Sequence, residues 1–320
     1  AVTLAKNKAA RIMSLTTLFL QTITPLFLII GATVAISRYA KVDTGHLSRA
    51  SIYLFTPALA FSSIAAGEMD LGEVGGLIVA GTLASAGLAP IALLLARVAG
   101  LERGLANTFA LTIFLMNSGN FGLPFIEFTF GTAGLQRAVA FVAGVALTIN
   151  SVGIYVASRG QSSVRDSLLN VVRTPLVYAV VLALLFNGTG TRLPLPLERA
   201  VVLLGQAAVP LQLVVLGLQL AALFRRPTGS GRALAWWPLA LSTVSRFGLG
   251  ALAGFAIAAL FGFSGVTRQV VILESAMPVA VFSGILAEEF GSEPEFAAAA
   301  ILTSTLASVF VLAGLLALMQ

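Results

Sequence analysis

Three ionisable residues fall deep inside long apolar stretches of this 320-residue chain: Glu127, Arg246 and Glu274. A charge in such surroundings is costly and persists where it has a task or a partner. Arg246 stands near the middle of its stretch, too deep to snorkel to an edge. Two roles fit it: neutralising an anionic solute, or pairing with Glu274 or Glu127. Glu274 opens the sequence Glu274-Ser275-Ala276-Met277-Pro278. A carboxylate beside Ser275, near carbonyls that a proline frees, suits a hard cation or a proton. Partnering Arg246 is its other role. Glu127, about one turn from the end of its stretch, reads as a rim residue facing water.

A fourth feature has no formal charge. Asn117-Ser118-Gly119-Asn120-Phe121-Gly122-Leu123-Pro124 packs two asparagines, two glycines and a proline into eight residues. That composition breaks a helix. Inside a bilayer a broken helix leaves backbone N–H and C=O groups that only protein or a water-filled cavity can satisfy. The start of the half-helix beyond a break carries partial positive charge and free N–H groups, a setting for a carboxylate.

Membrane spans must position these residues. Hydrophobic residues make up 58% of the chain and charged residues 10%, and the mean hydropathy is +0.98, against roughly 25% charged residues in soluble domains. Ten apolar segments are long enough to span: Ser14–Ile36, Leu47–Ala66, Val74–Leu95, Leu105–Phe130, Val139–Val156, Leu168–Phe186, Val201–Leu223, Leu234–Phe263, Val270–Ala287 and Phe296–Leu318. The sixth takes in Arg173 near one end. The polar, basic residues before Met13 are unlike the rest and read as an added tail or an upstream start.

Ten spans place both termini on one side. Arg38, Lys41, Arg49, Arg97, Arg103, Arg159, Arg165, Arg173, Arg225, Arg226 and Arg232 fall in the odd-numbered loops. The other side holds Arg137, Arg192, Arg199 and Arg268, with Lys6, Lys8 and Arg11 of the tail. The positive-inside rule then puts both termini outside, with Trp236 and Trp237 as an aromatic anchor at the inner edge. The net charge of +6 is therefore a matter of orientation. It is not the footprint of a nucleic-acid binder, because no basic run with interleaved aromatics occurs. No cysteine is present.

The prolines repeat. Pro25, Pro57 and Pro124 are followed by Pro175, Pro210 and Pro278 at offsets of 150, 153 and 154 residues. Five segments per half is an odd number, so the second half enters the membrane from the opposite side. That is the arithmetic of an inverted repeat, common in secondary transporters. The 154-residue offset aligns Asn120 with Glu274, each four residues before its proline. The expected fold is an all-α polytopic membrane protein of ten transmembrane helices in two inverted five-helix repeats. Helices four and nine are broken and cross. Residues 1–13 are the tail, 14–158 the first repeat, 159–167 a cytoplasmic loop and 168–320 the second repeat.

The run Asn117 to Pro124 resembles the Asn-(Thr/Ser)-Gly-x-x-Gly-Leu-Pro pattern of the auxin efflux carrier family. Ala276-Met277-Pro278 is similar to that family's Ala-Met-Pro. The run Ala299 to Leu306 is similar to its small, Ser/Thr-rich tenth span, and Arg246 matches an arginine of its eighth. The resemblance implies a fold like that of bile-acid:sodium symporters. Segments four and nine would cross in a moving transport domain, made of segments three to five and eight to ten. Segments one, two, six and seven would form a scaffold, often dimeric. Plant members export auxin as an anion, and bacterial members are often malate or malonate permeases. Asn120 and Glu274 fall at variable positions of the pattern.

Together these features lead to a secondary transporter for a small organic anion, working by alternating access of the elevator type in a plasma membrane such as the bacterial inner membrane. The alternative is a sodium- or proton-coupled symporter of another small solute. An intramembrane enzyme lacks support, since the chain has no His-bearing metal cluster, no Gly-x-Ser-x-Gly elbow and no Asp pair in neighbouring spans. A receptor lacks an output domain. The substrate site is expected at Asn117, Ser118, Gly119, Asn120, Gly122, Pro124, Met277, Pro278 and Arg246, with Glu274 and Ser275 as candidates for coupling to Na+ or H+. No cofactor, metal or nucleic acid is expected. Lipid and a second copy of the chain are the expected macromolecular surroundings.

Overall fold

The structure, a computed structural model, describes residues 19–40, 42–65, 69–158, 169, 171–225 and 236–319. The tail and the 159–167 loop lie outside these. Helix occurs in all ten apolar segments. The first holds a π-turn, Phe19–Ile23, and α1, Thr24–Ile36. The second holds α2, Thr44–Ala50, a π-turn, Ser51–Phe55, and α3, Thr56–Ala65. The third is α4, Leu71–Ala86, continued by α5, Leu88–Val98. The fourth begins with α6, Arg103–Phe114, and resumes with a π-turn, Ser118–Gly122, leading into α7, Leu123–Thr148.

In the second half come α8, Pro175–Thr189, and α9, Leu195–Arg225. They are followed by α10, Trp236–Leu260, α11, Gly265–Ser275, α12, Val281–Glu289, and α13, Pro294–Met319. Among the described residues there is no β-strand.

Five helical stretches are long and apolar enough to cross a membrane unaided: Leu71–Val98, Ser118–Ala157, Leu195–Arg225, Trp236–Leu260 and Pro294–Met319. The second of these runs 40 residues and covers two expected segments, because it folds back at Gly131. There φ is 64° and ψ −157°, a conformation open to glycine and few others. A Cβ on Gly134 would meet Ile126 Cγ2 at 3.0 Å. Residues eight apart on a straight helix are ~12 Å apart, so the helix is not straight. The outward faces are apolar. Leu203 and Val244 are each 70% exposed and Phe310 is 74%, which suits lipid and not water.

The sixth segment corrects the sequence reading. Leu169, Val171 and Val172 are helical, but the helix breaks at Thr174 and α8 starts afresh at Pro175, because proline at a first helical position disfavours helical backbone in the residue before it. Arg173 is left exposed ahead of the helix. The remaining 15 residues of α8 reach ~23 Å, short of a ~30 Å hydrocarbon core.

Residues 78–82 of α4 and 141–145 of α7 make a close backbone approach. A Cβ on Gly81 would collide with the Phe141 carbonyl, and one on Gly144 with the Ile78 carbonyl and, at 2.8 Å, the Thr82 nitrogen. Without a hydrophobic force between helices in lipid, such close contact is what joins them. Thr82 Oγ1 donates to the Gly144 carbonyl at 3.2 Å across the same seam. Gly144→Ala should therefore cost about 1–3 kcal/mol through overpacking, seen as a lower melting midpoint in detergent. Gly31→Ala, with nothing within 4 Å of the added carbon, serves as a neutral control.

Candidate functional site

The fourth and ninth segments are both interrupted, and the interruptions meet. After Phe114 the chain is extended through Leu115 (φ −90°, ψ 111°). After Ser275 it runs through Ala276 to Ala280 before α12 begins. Met116 and Val279 form an antiparallel bridge. Asn117 N donates to the Pro278 carbonyl at 2.8 Å and Ala280 N to the Leu115 carbonyl at 3.0 Å. Each break thus supplies hydrogen-bond partners for the other, as the burial of both demands.

Side chains complete the set. Ser304 Oγ of α13 accepts from Val279 N at 3.1 Å. Ser85 Oγ of α4 donates to the Phe114 carbonyl at 2.8 Å. Arg246, from the middle of α10, donates one terminal nitrogen to the Ile113 carbonyl and the other to the Ser275 carbonyl. Those carbonyls end α6 and α11, and each helix C-terminus carries about half a negative charge. One guanidinium therefore binds two helix ends.

Among the described residues there are two salt bridges, His46–Asp43 and Arg137–Glu73. Of the two roles open to Arg246, the pairing with Glu274 or Glu127 is not formed. Arg246 is fully buried and holds the breaks in place through backbone.

The remaining predicted residues collect around this point. Asn117, Ser118, Gly122, Pro124, Glu274, Ser275, Met277 and Pro278 are all buried, and Gly119 and Asn120 are half-buried. Asn117 Nδ2 is sealed from solvent and has no hydrogen-bond partner. Asn120 faces away from Glu274's own break: its Nδ2 donates to Gln219 Oε1 of α9 at 3.4 Å. The residue opposite Glu274 is Gly122, where an added Cβ would lie 2.9 Å from the carboxyl carbon. The alignment of Asn120 with Glu274 by offset therefore does not make them spatial partners. Pro124 sits in the first turn of α7, where its missing N–H costs nothing.

Around the break, sequence reasoning missed Ser85, Gln219 and the Phe27–Phe121 contact, an edge-on pair with centroids 6.2 Å apart. Ser304 lay inside the Ser/Thr-rich run already noted, and that run was the available signal. Glu127 is half-buried and His46 exposed. Gln212 of α9 donates to Thr56 Oγ1 at 3.4 Å, an interhelical bond. A cavity of about 490 Å³ opens elsewhere, against Phe61, Ser62, Phe186, Asn187, Arg192 and Glu198, and does not reach the break.

A family model described as "Membrane transport protein" matches residues 18–167 and 162–316. The chain belongs to this family. It is the auxin efflux carrier-like family that the motifs around Pro124 and Pro278 resemble. An uncharacterized transporter of Methanothermobacter thermautotrophicus is 30% identical over 279 residues, which are 83% of this chain and 86% of that protein. An uncharacterized transporter of Methanocaldococcus jannaschii is 26% identical over 203 residues, 62% of this chain and 64% of that protein. A membrane transporter family accords with the lack of enzyme motifs in the sequence.

Because Arg246 bonds to carbonyls, Arg246→Met should leave two buried helix ends without donors. Each buried carbonyl left unsatisfied costs ~1–3 kcal/mol, read as lower yield of monodisperse protein. Glu274→Gln in the same chain should restore nothing. A recovery in the double variant would mean that the two side chains neutralise each other.

Proposed function

We propose that the protein is a secondary transporter that carries a small organic anion between the two broken helices by alternating access, in an elevator-type movement. The observation that carries this reading is the unpartnered Asn117 amide at a point where two half-helices begin. The π-turn before α7 starts behind Asn117 and α12 starts behind Ala280, each without a side-chain cap. Helix starts offer N–H donors and partial positive charge without a buried formal charge, and both favour a carboxylate. Asn117 Nδ2 adds a donor that the protein itself leaves free. Arg246 contributes indirectly, by cancelling the negative helix ends that would repel an anion.

On this reading the chain forms ten spans in two inverted five-helix repeats, with the broken helices crossing. The family match in two stretches that meet near residue 165 supports the division. The moving part would slide on a scaffold that includes α1, α3, α8 and α9. The contacts across that boundary include Asn120 to Gln219 and Phe27 to Phe121, weak enough to be exchanged. The burial of every residue at the pairing of the breaks fits a closed state of such a cycle. We place the protein in a plasma membrane with both termini outside, on the distribution of arginines, and expect dimers through the scaffold. The substrate classes to try are aromatic monocarboxylates of the auxin kind and short dicarboxylates.

Asn117→Ala tests the site. Removing a buried donor that has no partner should leave stability unchanged or slightly raised. Removing a hydrogen bond to a charged ligand should cost about 1.5–3 kcal/mol, a fall in affinity of roughly 10- to 150-fold. Calorimetry of both proteins with indole-3-acetate, malonate and malate, beside uptake into liposomes, measures this. Equal carboxylate affinity in a folded Asn117→Ala protein would move the site elsewhere.

A further inference from the structure

Glu274 has no partner in any of the contacts described so far. It lies in the last turn of α11 and is 0% exposed. Both carboxyl oxygens are shut off from solvent and neither has a hydrogen-bond partner. The Ser118 hydroxyl beside it donates at 3.4 Å to the backbone carbonyl of Glu274. Gly122 closes the remaining side, since a Cβ there would stand 2.8 Å from Oε1. The carboxyl thus occupies space that exists because residue 122 has no side chain.

Charged residues on the surrounding elements do not pair with it. On α10, Arg246 holds the Ile113 and Ser275 carbonyls. On α4 and α7, Glu73 and Arg137 bind one another at 2.9 Å beside Thr267, about two turns, or ~10 Å, along α11 from Glu274. Arg268, also on α11, lies 5.8 Å from the centre of the Phe255 ring. Glu127 on α7 is half-buried one turn beyond the break. Glu295 belongs to the first turn of α13. The π-turn Ser118–Gly122 carries no charged residue.

An ionised carboxylate in this position would have no cation beside it and no donor side chain other than the Ser118 hydroxyl, which already serves the Glu274 backbone carbonyl, a state that low-dielectric interiors hold poorly. A metal cation would need about six oxygen ligands. No group of three His, Cys, Asp or Glu residues is placed to hold a polyvalent metal ion among the described residues, and Gly122 offers no side-chain ligand.

We infer that Glu274 is the proton-carrying site of the transporter, loaded where Gly122 seals it and discharged to water when the two breaks open to one side. In each cycle a carboxylate and a proton then move in the same direction, and for a monocarboxylate the net charge moved is zero. The coupling rests on the anion reading above, whereas the proton on Glu274 stands without it.

Two measurements separate these. Infrared spectroscopy of purified, substrate-free protein at neutral pH should show the carbonyl stretch of a protonated, buried carboxyl, absent from Glu274→Gln. Its absence from the wild type would overturn the proposal, whatever the protein transports, and needs no variant to fold. In liposomes holding a pH-sensitive dye, a gradient of indole-3-acetate or malonate should move protons with the wild type. An alkaline interior by one pH unit should raise accumulation of a monocarboxylate about tenfold. Glu274→Gln, which imitates the neutral carboxyl, should exchange labelled carboxylate without moving protons or responding to the pH gradient. Proton movement that persists in Glu274→Gln, or uptake driven by sodium and indifferent to pH, would overturn the coupling. An infrared band without transport of any carboxylate would leave the proton site standing and the anion reading refuted.

Discussion

Backbone polar groups released inside an apolar surround must find partners, and the architecture around residues 115–124 and 275–281 is a solution to that requirement. A single broken helix could not solve it, because its freed N–H and C=O groups point away from one another. Two breaks laid antiparallel do solve it, through Asn117 N to Pro278 O and Ala280 N to Leu115 O. What remains unsatisfied are the carbonyls at the ends of the first half-helices. Arg246, Ser85 and Ser118 reach the carbonyls that end α6 and α11 from α10, α4 and the opposing break. The neighbouring spans are therefore fixed by the needs of the two breaks as well as by packing.

The same requirement explains what the sequence made legible. The first break announced itself through Asn117, Gly119, Asn120, Gly122 and Pro124, each of which weakens a helix. The second announced itself through Pro278, and its mate was found by the near-constant spacing of prolines. The partner of Arg246 was not legible. Sequence displays side chains, so a buried arginine suggests a buried carboxylate, yet the acceptors here are the carbonyls of Ile113 and Ser275 and carry no sequence signature. The pairing of Glu274 with Gly122 was hidden for the complementary reason. A glycine marks room for something, and only the assembled fold shows that a carboxyl fills it. The fold-back at Gly131 and the late start of α8 at Pro175 are local backbone effects that hydropathy, averaged over a span, smooths away.

Packing separates the elements that must stay together from those free to slide. The seam between α4 and α7 brings Gly81 and Gly144 onto opposing carbonyls and adds a cross-helix hydrogen bond from Thr82. The Glu73–Arg137–Thr267 cluster ties α4, α7 and α11 at one end. By contrast, the contacts of the break with α9 and α1 include a 3.4 Å amide contact and one edge-on aromatic pair. Helices joined by backbone proximity resist separation, because lipid offers no substitute for the lost contacts. Aromatic edges and a long amide hydrogen bond can be re-formed one turn away. The proposed division into a moving unit and a scaffold follows this difference in contact chemistry.

Charge at the centre of the pairing also falls into a pattern. Two helix C-termini, about half a negative charge each, are answered by the one full charge of Arg246, so that set is close to neutral. The two helix starts on the other side, behind Asn117 and Ala280, have no carboxylate opposing them if Glu274 is protonated. Their partial positive charge is then left for a ligand, and the free Asn117 amide points the same way. Were Glu274 ionised, its charge would lie against Gly122, inside the turn that begins the second half-helix, and would cancel that attraction. Anion binding and protonation of Glu274 thus favour one another on electrostatic grounds alone. A coupling of that kind needs no direct contact between proton and substrate, only that both act on the same pair of helix ends.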